Sequence, residues 1–162
     1  MRPCPHRRSL LWLAMLAPMA GPTAAQAAQP TAAGFDLITA TEAAQDRAAP
    51  PPPASRAMPH PAAPRIELLA PSLGKPMASP IDIRLRWEGV EGAAVDPASV
   101  RVKYGRLGLD VTDRVLGAAK VNAQGIEAPG AKLPAGEHRL AIEVADSQRR
   151  VARREFIVEV LN

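Results

Sequence analysis

The 162-residue sequence holds one cysteine, three histidines and five aromatic side chains (two Phe, two Trp, one Tyr). Each shortage removes a class of function. The cysteine is Cys4, at the extreme N-terminus, so the body of the chain has no disulfide, thiolate nucleophile or cysteine metal site. No G-x-S-x-G elbow occurs, and Ser72, Ser79, Ser99 and Ser147 have only His138 within the expected folded domain as a possible base. Paired carboxylates cannot be placed on one face. The chain therefore reads as non-enzymatic and without a cofactor. Its longest early apolar run, LLWLAMLA at residues 10–17, is far short of the ~20 residues a membrane helix needs.

That short run belongs to a leader. Arg2, Arg7 and Arg8 precede it, and Ala25-Gln26-Ala27 closes it with a small-x-small cleavage site, so residues 1–27 read as a signal peptide. Three of the 20 Lys+Arg and none of the 16 Asp+Glu lie there, which leaves a processed chain of net charge +1. The basic balance is a property of the leader, and no broad field remains to condense on nucleic acid. Cys4 precedes the apolar run, so it is not the lipid-bearing cysteine of a lipoprotein signal. The expectation is an exported protein, periplasmic or secreted, with no stable membrane insertion after cleavage.

Three zones follow. Residues 28–47 are an Ala-rich arm with one apolar knot, Phe35, Leu37 and Ile38. Thr39-Ala40-Thr41-Glu42 fits the S/T-x-x-E capping pattern, so residues 41–47 are expected to form a turn or two of helix, too short to stand alone. Residues 48–64 carry seven prolines mixed with Ala and read as a disordered, polyproline-like linker, a semi-rigid spacer at ~3.1 Å per residue. At that rise the linker could hold the knot up to ~50 Å from a folded domain spanning 65–162.

Within 65–162 the periodicity is that of strands. Residues 65–70 form the first. In 81–87, Ile81, Ile83, Leu85 and Trp87 alternate with Asp82, Arg84 and Arg86; residues 89–97 read as a loop; 99–104 bury Val100, Val102 and Tyr104. Gly105-Arg106 suits a tight turn before 107–111. Residues 112–119 are a helical turn or irregular, and Val121 and Ile126 lie on short strands. In 132–160, His138, Leu140, Ile142 and Val144 face inward in one strand and Phe156, Val158 and Val160 in the next. About seven short strands with regular turn signals define an all-β class, a single antiparallel β-sandwich anchored by Trp87 and Phe156.

Ser79-Pro80-Ile81, Val95-Asp96-Pro97-Ala98-Ser99-Val100, Leu109-Asp110-Val111-Thr112, Leu133-Pro134-Ala135-Gly136-Glu137-His138 and Val144-Ala145-Asp146 resemble, in that order, bacterial immunoglobulin-like domains of the cadherin-like or fibronectin-like kind. The resemblance spans 65–160 and implies a module that binds, spaces or supports other proteins. The sequence departs from the pattern after Asp146, where Ser147-Gln148-Arg149-Arg150 lacks the usual turn glycine.

Candidate sites divide by chemistry. Calcium needs converging oxygens, and Asp110, Asp113 and Asp146 are weak candidates because no D-x-D-x-D run supports them. Copper needs clustered His, Met or Cys, and Met58, His60, Met77 and His138 are the available set. A small-ligand or metal carrier is thus the alternative function. The main expectation is protein–protein interaction with another cell-envelope protein. Phe35, Leu37 and Ile38 form either a docking peptide or a leader remnant packed loosely on the domain. Arg149, Arg150, Arg153 and Arg154 either grip an anionic partner or protect an edge strand by charge, paired with Glu137 and Glu143.

Overall fold

A computed structural model describes residues 34–51 and 58–161. The leader, its cleavage site, Cys4 and the linker's centre lie outside the described residues. Two sheets face each other. The first contains β1 (Phe35–Asp36), β2 (Arg65–Ala70), β3 (Ile81–Glu88), β6 (Lys120–Asn122) and β7 (Gly125–Lys132). The second contains β4 (Val95–Tyr104), β5 (Leu109–Asp110), β8 (Gly136–Asp146) and β9 (Val151–Val160). Pairing runs β1-β7-β3-β2, with β6 also on β7, and β5-β4-β8-β9. The protein is an all-β sandwich of two sheets.

The alternation expected from the sequence decides which way side chains point. In β3 every odd-numbered residue from Ile81 to Trp87 is buried and every even one is exposed. His138, Leu140, Ile142 and Val144 of β8 meet Phe156, Val158 and Val160 of β9 in the same core. Trp87 is buried and its indole N–H donates to the Asn122 carbonyl at 3.2 Å. Burial of each such anchor is worth roughly 2–3 kcal/mol.

Two stretches differ from expectation. Residues 95–97 are strand, not loop. Asp96 accepts from the Ala98 N–H (2.9 Å), and Ser99 Oγ donates to the Asp96 carbonyl (2.6 Å) and accepts from the Ala145 N–H (2.8 Å). The Asp-Pro pair at the end of that expected loop opens a bulge within β4, between Asp96 and Arg101, and the Ser99 hydroxyl supplies the ladder bond the bulge interrupts. Strand β7 contains Pro129, which obscured it in the sequence. Trp87 N bonds Gln124 O, so even-numbered β7 residues up to Ala128 bond β3; the register then shifts between Ala128 and Ala131, and Pro129 sits in that irregularity, a position that tolerates a missing donor. There it falls in the gap between β6, paired at 125–127, and β1, paired at 131–132.

The largest correction concerns the arm. The apolar knot is inside the sandwich, neither a free docking peptide nor a loosely packed remnant. β1 pairs with β7 in parallel, so the sheets are not wholly antiparallel, and Leu37 N bonds Lys132 O at 3.1 Å. Leu37 is 0% and Ile38 3% exposed; Phe35 is half-buried against the same core. The knot therefore has a core to join, and the Pro-rich segment does not hold it at a distance. Helix α1 (Ala40–Ala48) follows, with Thr39 as N-cap and the expected capping box complete. Glu42 accepts two hydrogen bonds from Arg114, at 2.9 and 2.7 Å. Asp46 accepts from the N–H groups of Arg106 (2.6 Å) and Leu107 (3.0 Å), capping the β4–β5 turn. Gly105, at φ 71°, opens that turn in the left-handed region, and a side chain there would strike the Asp46 carboxylate. These bonds hold a helix too short to persist alone.

Candidate functional site

The four arginines of the C-terminal cluster do not act together. Arg149 occupies the turn after β8 at φ 62°, the left-handed conformation the missing glycine would adopt without strain. Arg150 is drawn inward: its guanidinium donates to Asp146 (2.7 Å), Glu91 (3.1 Å) and the Val90 carbonyl (3.1 Å). Asp146 also accepts from the N–H groups of Gln148 and Arg150, both at 2.9 Å. Burial acts to raise its pKa, but the hydrogen bonds from Arg150 and Gln148 outweigh it and hold the carboxyl below its ordinary range. Asp146 is a turn carboxylate whose lone pairs are spent on the protein.

Arg153 belongs to a charge ladder on the outer face of the second sheet. It pairs with Glu143 on β8 (2.9 Å), as expected, and with Glu155 (2.6 Å); Arg139 lies 3.6 Å from Glu155. Glu137, the other expected partner, stands opposite Glu159 instead. Arg154 is on the core-facing parity of β9, between Ala152 and Phe156, yet it is exposed. It lines a groove with Pro59, His60, Arg65 and Ile66, and among the described residues it has no ion-pair partner.

The backbone of β9 is the more informative part. It pairs with β8 at ten consecutive positions without a bulge, and it is the last strand of its sheet. Asp146 N bonds Arg150 O, which makes even-numbered β9 residues the ones bonded to β8. Odd-numbered residues turn their N–H and C=O outward. The far end of the strand agrees: Met77 N bonds Glu159 O and Leu161 N bonds Met77 O, which closes the edge there. The Arg149 turn closes the other end. Among the described residues, no backbone group pairs with the outward groups of Val151, Arg153, Glu155 and Ile157. Two of these side chains are exposed and apolar, Val151 at 53% and Ile157 at 44%.

The expected metal ligands do not converge. Asp110 pairs with Lys103 and the Asp146 end of β8 with Val95, at opposite ends of β4. Asp110 accepts from the Thr112 N–H at 2.9 Å, and hydrogen bonding from Thr112 holds its carboxyl below the ordinary range. Asp113 is exposed on helix α2 (Thr112–Leu116). His138 is buried with both ring nitrogens engaged, Nδ1 with the Tyr104 hydroxyl (2.8 Å) and Nε2 with the Pro134 carbonyl (2.6 Å). His60 Nδ1 accepts from the Ala62 N–H at 3.1 Å, and Met77 lies at the end of β9. Among the described residues, no group of three or more His, Cys, Asp or Glu is placed to hold a metal ion. The Ser79 and Ser99 hydroxyls bond backbone, not His138.

The sequence pointed to the arginines and to an edge strand beneath them, but not to which of its backbone groups are left without a partner among the described residues. One signal was available: Val151 and Ile157 are apolar at positions of β9 that otherwise carry charge.

No family model and no curated protein matches the chain. The chain is similar to several solved structures, among them the following two. CopC from Methylosinus trichosporium OB3b is 20% identical over 59% of this chain and 93% of that one, with a TM-score of 0.40. An engineered protein is 17% identical over 64% of this chain and 21% of that one, with a TM-score of 0.42. Likeness at this level carries nothing about function. The class defined by the fold is the all-β sandwich. No helix among the described residues is long and apolar enough to cross a membrane.

Proposed function

We propose that this protein is a non-enzymatic binding module of the cell envelope, exported to the periplasm by residues 1–27, that holds a protein partner by adding an extended segment to the β9 edge. The observation that supports it is the seven-residue window from Val151 to Ile157 whose outward backbone groups have no partner among the described residues. Strand addition takes affinity from main-chain hydrogen bonds and selectivity from alternate side chains, and a regular strand with both outward apolar and outward charged residues supplies each. The resemblance of 65–160 to immunoglobulin-like modules supports the same reading. The metal-carrier alternative has less behind it, because Asp110, Asp113 and Asp146 are apart and His138 is fully engaged.

A photo-crosslinking side chain at position 155, on the edge, and at position 84, on the outer face of the other sheet, tests the proposal in cells. The edge reading expects a discrete protein adduct from 155 and none from 84. Equal adducts from both positions, or none from either, would overturn it. A melting temperature that rises on adding Ca²⁺ or Cu²⁺ would favour the carrier instead, by mass action.

A further inference from the structure

We propose that the segment added to the β9 edge is β9 of a second copy of this chain, antiparallel, so that the two four-stranded sheets become one continuous sheet. The inference rests on the edge reading above and names its partner. Two copies related by a two-fold axis normal to the sheet keep the same faces, so the register is set by the residue on the axis. Among the described residues, the window without an outward partner runs from Val151 to Ile157, between the Arg149 turn and the Met77 bridge, and its midpoint is Arg154.

With Arg154 on the axis, Arg153 stands opposite Glu155 of the second copy, and Val151 opposite Ile157 of the second copy. Each pair occurs twice. All are odd-numbered, so all fall at hydrogen-bonding positions and use the free N–H and C=O of all four residues. The outer face gains two opposite-charge pairs flanked by two apolar pairs, which cover the exposed Val151 and Ile157. Neighbouring registers lose this match. With Glu155 on the axis, Glu155 faces itself, Arg153 faces Ile157, and Val151 would need the Glu159 position that Met77 occupies. With Arg153 on the axis, Arg153 faces itself and Val151 faces Glu155. The window's limits, its bonding phase and its charges thus select one register.

One meeting opposes the pairing: Arg154 faces Arg154 of the second copy on the core-facing side. The groove beside Pro59, His60 and Arg65 gives each guanidinium somewhere to turn, but like charges remain across the axis. Arg154 is therefore a gauge of the geometry. It also disfavours haphazard strand addition at the same edge.

Analytical ultracentrifugation of the purified protein from micromolar to millimolar concentration is the test. The expected result is a concentration-dependent dimer. R154Q should tighten it about two- to fivefold by removing the axial repulsion. I157K and V151K should each weaken it about tenfold or more. Both replaced residues are exposed in the single chain, so the fold is retained, which a melting curve checks. A protein that stays monomeric at millimolar concentration overturns the proposal, as does a dimer indifferent to I157K and R154Q. If the protein is monomeric while position 155 crosslinks to a different envelope protein, self-pairing falls and the edge reading stands. If both experiments fail, both readings fall.

Discussion

Arg149 shows how a single backbone angle resolves what residue types left open. The turn after Asp146 lacks a glycine, yet it closes because Asp146 accepts the Gln148 and Arg150 N–H groups and Arg149 takes φ 62°. A side chain in that region costs roughly 1–2 kcal/mol relative to the right-handed one. Arg149→Gly should therefore raise stability by up to about 1 kcal/mol after the added chain entropy of glycine, and Arg149→Val should lower it. Urea midpoints of the two variants against the parent check this. The same scale separates the other arginines. Arg150 is a structural partner of Asp146, Arg153 a surface pair with Glu143, and Arg154 an edge cation without an ion-pair partner among the described residues. Their adjacency in sequence said nothing of this, because alternate strand residues face opposite sides.

Strand β1 and helix α1 carry the lesson at the scale of elements. Nine helical residues and a two-residue strand have no independent stability. They are ordered by Leu37 in the core, by Glu42 on Arg114 and by Asp46 on the β4–β5 turn. Leu37→Ala should cost about 2–5 kcal/mol, the range for a buried leucine in a packed core. A loosely attached arm would lose no more than about 0.5 kcal/mol. Chemical denaturation followed at Trp87 separates the two outcomes. The capping box was legible in Thr39 and Glu42, but the Arg114 contact that anchors it lies 72 positions away from Glu42 and left no local trace.

For the molecule as a whole, the titratable groups held by burial or by hydrogen bonds set a pH window. Burial, countered in part by the Pro134 carbonyl, holds the His138 pKa below its ordinary 6.5. The unfolded chain then binds the proton first, so this contribution is complete above about pH 6.5 and is lost as pH falls toward the folded value. Glu42, held to about 2 by Arg114 and then Thr39, contributes above its ordinary 4.5 and is lost as pH falls toward 2. Burial raises Tyr104 to about 12, so its contribution is present below pH 10 and is lost as pH climbs through that range. Stability should thus be flat between about pH 6.5 and 10 and decline in two steps on the acid side. Urea midpoints across that range would show it. His138→Gln should remove the first step and leave the second.

The sequence alone determined the fold class, the inward faces of β3, β8 and β9, the anchors Trp87 and Phe156, and the turn at Asp146. These are local properties: a period of two and a few turn-forming side chains are written in consecutive residues. Only the tertiary structure decided that Phe35, Leu37 and Ile38 complete the sandwich, that Pro129 is tolerated in a gap between β1 and β6, and that β9 lies at an edge where the outward backbone of Val151–Ile157 has no partner among the described residues. The physical reason is common to all three. Which strand neighbours which depends on contacts between residues far apart in sequence, and a strand's pattern of inward and outward side chains is the same whether its backbone is paired on both sides or on one.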